Sequence, residues 1–352
     1  MSVVGGSCNQ QNRSHGMTFA DPCGVPAICY TPEDSFIRHG GSMRICSLLP
    51  SGTEIVFALD LGDQLVAITH ECAVPAMAGP IPIITRSTID EAAQGSWDIH
   101  NHVTEALHRG SSIYSLDHAL LERLDPTLIL TQELCEVCAI SYQEVAKAVH
   151  RLEGTLPGKR TVLSLEPHDL TGVLQTIEQV GDAAGVHERA AALVRTLRDR
   201  INHIATMART APIQPRVFAM EWLDPPFTAG HWVPEMIRLA GGRDEMSREG
   251  TPSVQVSWEE IARYDPDILA LMPCSFSLER TINEFSTLHL PEAWQHLKAV
   301  QSERVYAVEG ATYFSRSGPR TIDGLQILAE IIHPELFPRT TPPNAWTRVA
   351  TG

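Results

Sequence analysis

The sequence predicts an α/β protein made of two similar three-layer lobes joined by one long backbone helix. Residues 187–210 carry apolar side chains at a steady spacing of three and four positions, without glycine or proline, which is typical of one face of a helix. Such a helix would be about 36 Å long, enough to run along two small lobes. On both sides of it, strand-like apolar runs alternate with helical segments, and part of this pattern occurs twice.

The first lobe follows a segment, residues 1–42, that is rich in Gly, Pro, Ser and Cys and shows no helical or strand period. We expect this segment to be a loosely ordered extension. An N-terminal α/β lobe is predicted at 43–166. Short apolar runs predict its strands at 45–49, 65–68, 81–84, 127–131 and 161–165. A turn is predicted at 50–53, with helices at 54–59, 113–124 and from the Cys135 loop to His150.

The second half of the chain is predicted to be built like the first. A helical segment is expected at 167–211, including the long helix 187–210, then a C-terminal α/β lobe at 212–337 and a tail at 338–352. A helix end, an Asp-Pro turn and a strand occur together at 121–130 and again at 261–270, and 159–166 is similar to 302–309. Two matches in the same order, on opposite sides of the long helix, predict two comparable lobes.

Charge and hydropathy exclude several classes of partner. The 352 residues include 27 basic and 42 acidic ones, for a formal net charge of −15. Because this charge repels phosphates, we expect no nucleic-acid partner. A membrane span needs about 18 consecutive apolar residues, and no apolar stretch of the sequence is that long. We therefore expect a protein that is not membrane-embedded. The start of the chain lacks the apolar core of a secretory signal, which predicts a cytoplasmic location.

Several stretches carry a resemblance to a known family. They are 44–59 with its Pro-Ser-Gly-Thr-Glu run, the Asp-Pro-x-Leu-Ile-Leu strand entry, the loops 221–226 and 230–232, and 313–320. Over residues 44–337 the chain resembles the cobalamin and iron-siderophore substrate-binding proteins of ABC importers. The resemblance implies two α/β lobes that hold a metal-bearing ligand between them with little hinge motion. It also implies an ABC permease as partner, with Glu54 at the place of the family's front-lobe docking glutamate.

Ligand-binding residues are expected on the loops that follow the carboxyl ends of the strands. His231 and Trp232 combine an imidazole that is able to ligate cobalt or iron with a flat aromatic wall. Arg86 and Arg316 are suited to bidentate bonds with ligand carboxylates or phosphates, or to ion pairs with nearby glutamates. Glu54 is expected in the first turn of its helix, where the dipole favours a carboxylate. The candidate ligand-binding residues are Ser51, His70, Arg86, Glu133, Glu166, Glu221, Trp222, His231, Trp232, Tyr313 and Arg316.

A second candidate site is a cysteine cluster formed by His70, Cys72, Cys135 and Cys138. Thiolate and imidazole are the ligands that zinc prefers, and a Cys-x-x-Cys pair places two sulfurs within reach of one metal. Three thiolates also suit an iron–sulfur cluster, and the Cys135–Cys138 pair alone suits a thiol switch. The structural alternative is that both cysteines are buried apolar residues at the start of a helix.

The sequence favours binding over catalysis. It contains no nucleophile elbow, P-loop, dinucleotide-binding glycine motif or His-Glu-x-x-His motif, and it identifies no catalytic residue. The first hypothesis is a binding protein that holds a corrinoid such as cobalamin, or a related metal chelate, between the lobes. The second is a cytosolic metalloprotein or metalloenzyme that uses the cysteine cluster to hold zinc or an iron–sulfur cluster. The third is a thiol redox sensor.

Overall fold

A computed structural model describes residues 43–87, 95–109, 113–132, 145, 147–148 and 160–350. These residues all belong to one compact unit. The predicted extension 1–42 lies outside the described residues, as do Glu133, Cys135 and Cys138. The exact domain boundaries stay predictions.

The front lobe is built on a four-stranded parallel sheet. Its strands are β1 (Ile45–Ser47), β2 (Leu65–Ala67), β5 (Leu128–Thr131) and β6 (Thr161–Ser164), and a separate antiparallel pair consists of β3 (Thr85–Ser87) and β4 (Tyr114–Leu116). The parallel strands run in the order β2-β1-β5-β6. The described helices of this lobe are Pro50–Ala58, Ser96–His108 and His118–Leu124, with a 3-10 turn at Gly62–Gln64. The central strands β1 and β5 are buried, as expected for a parallel sheet that is covered on both faces.

The rear lobe has a five-stranded mixed sheet in the order β11-β10-β9-β7-β8. Its strands are β7 (Val217–Trp222), β8 (Phe227–Thr228), β9 (Ile268–Leu271), β10 (Val305–Val308) and β11 (Trp346–Arg348). The three central strands are parallel, and the edge strands β8 and β11 are antiparallel. Its helices are Val233–Leu239, Trp258–Tyr264, Leu278–Thr287, Lys298–Gln301, Gly310–Tyr313 and Thr321–Ile332, with a 3-10 segment at Glu292–His296.

The long helix is His187–Ala208, and it follows the helix Leu170–Ala183. It ends two residues before the predicted position. Its apolar face is buried at Ala190, Val194, Leu197, Ile204 and Ala208. Arg189 donates a hydrogen bond to the carbonyl of Leu59 in the front lobe at 2.8 Å. Arg200 pairs with Asp323 in the rear lobe at 2.7 Å, so the helix is attached to both lobes.

The repeat seen in the sequence is also present in the structure. Asp125 and Asp265 each end a helix in the left-handed conformation, with φ of 39° and 50°, and each precedes a proline and a central strand. Each aspartate also has a basic partner, Arg160 in the front lobe and Lys298 in the rear lobe. The prediction of two similar α/β lobes on one long helix is confirmed.

Two predicted elements are wrong in type or position. The predicted helix 113–124 begins instead at His118, because Asp117 caps it by accepting a bond from the Leu120 N–H at 2.8 Å, and β4 occupies the residues before it. The predicted strand 81–84 forms only a single bridge, between Ile68 and Ile83. Pro82 has no N–H to donate, so regular pairing begins only at β3.

The predicted turn at 50–53 is in fact the first turn of the helix Pro50–Ala58. Proline is favoured at the first helical position because its fixed φ is already helical and its missing N–H is not needed there. Glu54 is therefore beyond the first turn, so the predicted dipole stabilisation of its carboxylate does not apply.

Among the described residues, no helix is both long enough and apolar enough to cross a membrane.

Candidate ligand-binding site

The two lobes enclose a cavity of about 370 Å³. Its wall is formed by loops that follow the carboxyl ends of β1, β2 and β5 in the front lobe and of β9 and β10 in the rear lobe. The end of β7, the loop after β8 and residues 252–253 complete it. Ligands of open α/β sheets bind at this edge because several loops converge there. The cavity is the candidate ligand-binding site.

Uncharged polar groups are distributed over a largely apolar cavity wall. Five serines contribute to it, namely Ser51, Ser253, Ser275, Ser315 and Ser317. Gln132 and Cys274 add an amide and a thiol, while Trp232, Phe314 and Met272 supply apolar surface. Such a wall can hydrogen-bond a ligand through many neutral groups while an apolar surface covers part of it.

Glu221, at the end of β7, is one of two carboxyl groups in the described wall. It accepts a hydrogen bond from the N–H of Gly230 at 2.8 Å and one from the side chain of Ser253. Burial raises the pKa of the Glu221 carboxyl, and these hydrogen bonds offset only part of the rise. Glu71 faces the cavity from the front lobe and accepts a bond from the Tyr114 hydroxyl at 3.0 Å. Burial likewise raises the pKa of Glu71.

Glu221→Gln should therefore make the protein more stable at pH 8, by about 1 kcal/mol, because it removes a buried charge. A carboxyl whose folded pKa is raised stabilises the fold only while protonated, so wild-type stability falls as pH rises through that pKa. The difference between variant and wild type should shrink as pH falls towards the ordinary glutamate pKa of about 4.3. Urea unfolding at pH 5 and pH 8 measures this difference.

The control for this prediction is Glu105→Gln, which removes a carboxylate from an exposed pair with Arg109. We expect it to change stability by less than about 0.5 kcal/mol at either pH. A Glu221→Gln protein that is less stable than wild type by the same amount at both pH values would contradict the assignment of a costly buried carboxylate.

His231 presents a neutral imidazole at the cavity wall. Burial, followed by the nearby His168, lowers the pKa of His231, so the ring is uncharged at pH 7. Its Nε2 is buried and has no hydrogen-bond partner among the described residues. The ring centroid lies 5.7 Å from that of Trp232 and 6.2 Å from that of His168. A neutral imidazole with an unused nitrogen can ligate a metal centre once the ring is turned towards it.

Trp232 fixes the loop that carries His231. Its side chain is 6% exposed, and its Nε1–H donates to the carbonyl of Phe314 at 3.0 Å. The backbone N–H of His231 donates to the carbonyl of Thr251 at 2.7 Å. His231 itself has a positive φ of 51°, which turns the chain sharply into the helix Val233–Leu239. These contacts connect the loop after β8, the segment at Thr251 and the loop after β10 into one wall.

Arg316 crosses the cleft from the rear lobe to the front lobe. Its Nη1 lies 3.3 Å from Oε1 of Glu54, and its Nη2 donates to the carbonyl of Glu71 at 3.0 Å. The pair is largely shielded from solvent, with side-chain exposures of 16% for Arg316 and 11% for Glu54. Glu54, predicted from the family resemblance to be a docking residue, is thus buried against the other lobe in this structure.

The structure brings five of the candidate ligand-binding residues to the cavity. They are Ser51, Glu221, His231, Trp232 and Arg316. Glu133 lies outside the described residues. The sequence did not single out Gln132, Ser253, Ser275 or Ser317, because serine and glutamine are common in loops and have no chemically specific spacing.

The other five candidates contact neighbouring protein groups instead of the cavity. His70 pairs its Nδ1 with the Thr85 hydroxyl at 2.7 Å, and Arg86 is exposed on β3. Trp222 donates its Nε1–H to the carbonyl of Ser96 at 3.2 Å, which joins the two lobes away from the cavity. The last two bond within their own lobes, Glu166 with the Ser164 hydroxyl and Tyr313 with Arg320.

Only half of the predicted cysteine cluster lies among the described residues. Cys72 lies 3.0 Å from the Thr53 hydroxyl and 3.2 Å from that of Thr69, and burial raises the pKa of its thiol. Cys135 and Cys138 fall outside the described ranges. Within those ranges, no three His, Cys, Asp or Glu side chains are grouped so that they could hold a metal ion. The cluster stays a prediction.

Known proteins with similar sequences include a substrate-binding lipoprotein of an ABC transporter and a vitamin-binding protein. The chain is 26% identical over 300 residues to an uncharacterised ABC transporter substrate-binding lipoprotein of Bacillus subtilis, which covers 84% of this chain and 81% of the relative. It is 25% identical over 287 residues to a vitamin B12-binding protein of Vibrio cholerae, and this match covers 80% of this chain and 86% of that protein.

Solved structures of similar architecture include a periplasmic heme-binding protein of Pseudomonas aeruginosa. Its TM-score is 0.64 at 21% identity, with 88% of this chain and 99% of that chain covered. A periplasmic vitamin B12-binding protein of Vibrio cholerae gives a TM-score of 0.60 at 22% identity, with coverage of 84% and 98%. At these identities the likeness establishes the fold. A family model described as periplasmic binding protein matches residues 116–311, more than half of the chain. The chain belongs to the periplasmic binding protein family.

Proposed function

We propose that this protein binds a corrinoid such as cobalamin, or a metal chelate of similar polarity, in the cleft between its lobes. The observation that carries the proposal is the chemistry of the cavity wall. It combines many uncharged hydrogen-bonding groups with apolar surface and the neutral imidazole of His231. A complete corrinoid is larger than the 370 Å³ cavity, so we expect the lobes to separate somewhat when it binds.

Arg316 is the only lysine or arginine in the described wall and is already paired with Glu54, which favours a corrinoid over a carboxylate-bearing chelate such as heme. The periphery of a corrin carries amide groups, which donate and accept hydrogen bonds without charge and match the serines and Gln132. Heme carries two carboxylates, which need free cationic partners when buried. The vitamin B12-binding protein of Vibrio cholerae among the relatives supports the same choice.

His231 is the residue that we propose to approach the metal of the ligand. Imidazole nitrogen is a suitable ligand for cobalt or iron, and Nε2 has no competing hydrogen bond among the described residues. Trp232 and Phe314 line the same wall and would give the ligand apolar contacts beside it. The hypotheses of a zinc or iron–sulfur metalloprotein and of a thiol sensor depend on Cys135 and Cys138 and gain no support from the described residues.

We further propose an ABC permease as the partner, because a relative is a substrate-binding component of an ABC transporter. Docking through Glu54 would require its pair with Arg316 to open first, since the carboxylate is buried here. The cytoplasmic location predicted from the start of the sequence stays a prediction.

Thermal unfolding with and without cyanocobalamin tests the proposed function. A ligand that binds only the folded state stabilises it by about 2.7 kcal/mol when its concentration is 100 times Kd. We expect a clear rise in Tm at ligand concentrations above about 10 μM, with a parallel change in the corrin absorption spectrum. An unchanged Tm and spectrum at concentrations far above micromolar would refute the proposal.

A further inference from the structure

The charge of Arg316 is already matched inside the protein. Among the described residues of the cavity wall, it is the only lysine or arginine. Glu54 accepts one of its hydrogen bonds at 3.3 Å, and the backbone carbonyl of Glu71 accepts another at 3.0 Å. Since both charged side chains are largely buried, solvent and salt screen their attraction only weakly. A ligand anion would have to compete with Glu54 for this arginine.

The surroundings of Glu54 hold its carboxylate at the lobe interface. Glu54 lies on the helix Pro50–Ala58 and meets the 316–320 loop of the rear lobe. A Cβ on Gly318 would lie 2.5 Å from Oε2 of Glu54, so the glycine leaves room for the carboxylate beside the loop. Burial raises the pKa of the Glu54 carboxyl, and the nearby charges of Arg316 and Arg320 offset only part of the rise.

The buried carboxylate of Glu54 does not benefit the stability of the fold. Oε2 of Glu54 is buried without a hydrogen-bond partner among the described residues, and a buried, incompletely bonded carboxylate is costly. A neutral side chain of the same shape would avoid the cost of burying the charge. Stability alone therefore does not explain the charge of Glu54, and its partner Arg316 faces the ligand cavity.

We propose that Glu54 determines ligand specificity by occupying Arg316, so that the cleft rejects chelates that carry carboxylates and admits those that carry amides. This inference rests on the proposed function. A ligand carboxylate that takes Arg316 would leave Glu54 buried, unpaired and close to a second negative charge. Rejecting one class of ligand through an unpaired charge is an established route to specificity. An amide-bearing ligand does not have to displace Glu54.

Glu54→Gln tests this proposal with three probes: hemin, hemin dimethyl ester and cyanocobalamin. The ester has the same ring and metal as hemin but no carboxylates. Glutamine keeps the shape of the side chain and removes its charge, so Arg316 loses its carboxylate partner Glu54 while it keeps its bond to the Glu71 carbonyl. We expect hemin to bind about tenfold more tightly to the variant, as for one added charge-assisted hydrogen bond. Affinities for the ester and for cyanocobalamin should change less than about twofold.

Two further variants make the test specific. Glu105→Gln makes the same change in net charge at an exposed pair with Arg109, and it should leave the ratio of hemin to ester affinity at the wild-type value. In the double variant Glu54→Gln, Arg316→Gln, the increase in hemin affinity should be lost. If Glu54→Gln does not fold, Glu54→Ala removes the same charge and is tested with the same three probes.

The outcomes separate this inference from the proposed function. Binding of cyanocobalamin by wild type, together with a ratio of hemin to ester affinity that is unchanged in folded Glu54 variants, would overturn only the role of Glu54. A gain for hemin that persists without Arg316 would also overturn it. If neither wild type nor variant binds any of the three probes, the proposed function fails and the inference fails with it.

Discussion

Ser315→Trp is expected to abolish binding of cyanocobalamin while leaving the fold intact. Ser315 lies in the loop after β10 and faces the cavity. An indole at this position would project into the 370 Å³ between the lobes and obstruct the space that the ligand has to occupy. We expect at least about a 100-fold loss of affinity, or roughly 2.7 kcal/mol. Titration of the corrin absorption spectrum measures the change.

Two controls separate blocked entry from a disturbed loop. The Ser315 hydroxyl donates to the Gly310 carbonyl at 3.0 Å and accepts from the Ser275 N–H at 3.1 Å. Ser315→Ala removes these bonds but leaves the cavity open, so its affinity should stay within about fivefold of wild type. Ser302→Trp places the same indole on an exposed residue and should bind normally. Normal binding by Ser315→Trp would show that the ligand site lies elsewhere.

Gly230→Ala should cost the protein about 3 kcal/mol of unfolding free energy, at the upper end for overpacking. A Cβ at residue 230 would lie 2.4 Å from the backbone N of Ser253 and 2.9 Å from the carbonyl carbon of Pro252. Backbone atoms cannot rotate away as a flexible side chain can, so one of the two loops must move. The same shift would disturb the bond from Gly230 N–H to Glu221 and the position of His231. Urea unfolding gives the loss of stability.

Gly79→Ala is the matched control, because a Cβ at residue 79 would have no neighbour within 4 Å. We expect its stability to differ from wild type by less than about 0.5 kcal/mol. If Gly230→Ala were as stable as Gly79→Ala, the loops at 230 and 252–253 could not be packed as the structure has them.

The sequence predicts the architecture because the architecture depends on local patterns. The long helix is visible as an unbroken period of apolar residues, and the two Asp-Pro turns mark equivalent points in both lobes. Local signals also explain the errors. The capping by Asp117 and the missing N–H of Pro82 decided where elements begin, against an apolar pattern that extended over both residues.

The candidate site is less predictable because side-chain direction depends on tertiary packing. The rule that ligands bind on the loops after the carboxyl ends of the strands selects loops of the cavity wall. It does not tell which residue of a loop faces the cavity. Trp222 and Trp232 look equivalent in the sequence, yet Trp222 bonds the Ser96 carbonyl while Trp232 lines the cavity. Glu54 and Arg316 are separated by 262 positions, and no local pattern links them.

Equilibrium dialysis of the purified wild-type protein against cyanocobalamin tests the central claim most directly. It measures retained ligand by corrin absorbance and requires no assumption about stability. We expect one ligand per chain with a Kd of about micromolar or tighter, and loss of that binding in Ser315→Trp. Folded wild-type protein that retains no cyanocobalamin at about 100 μM ligand would contradict it.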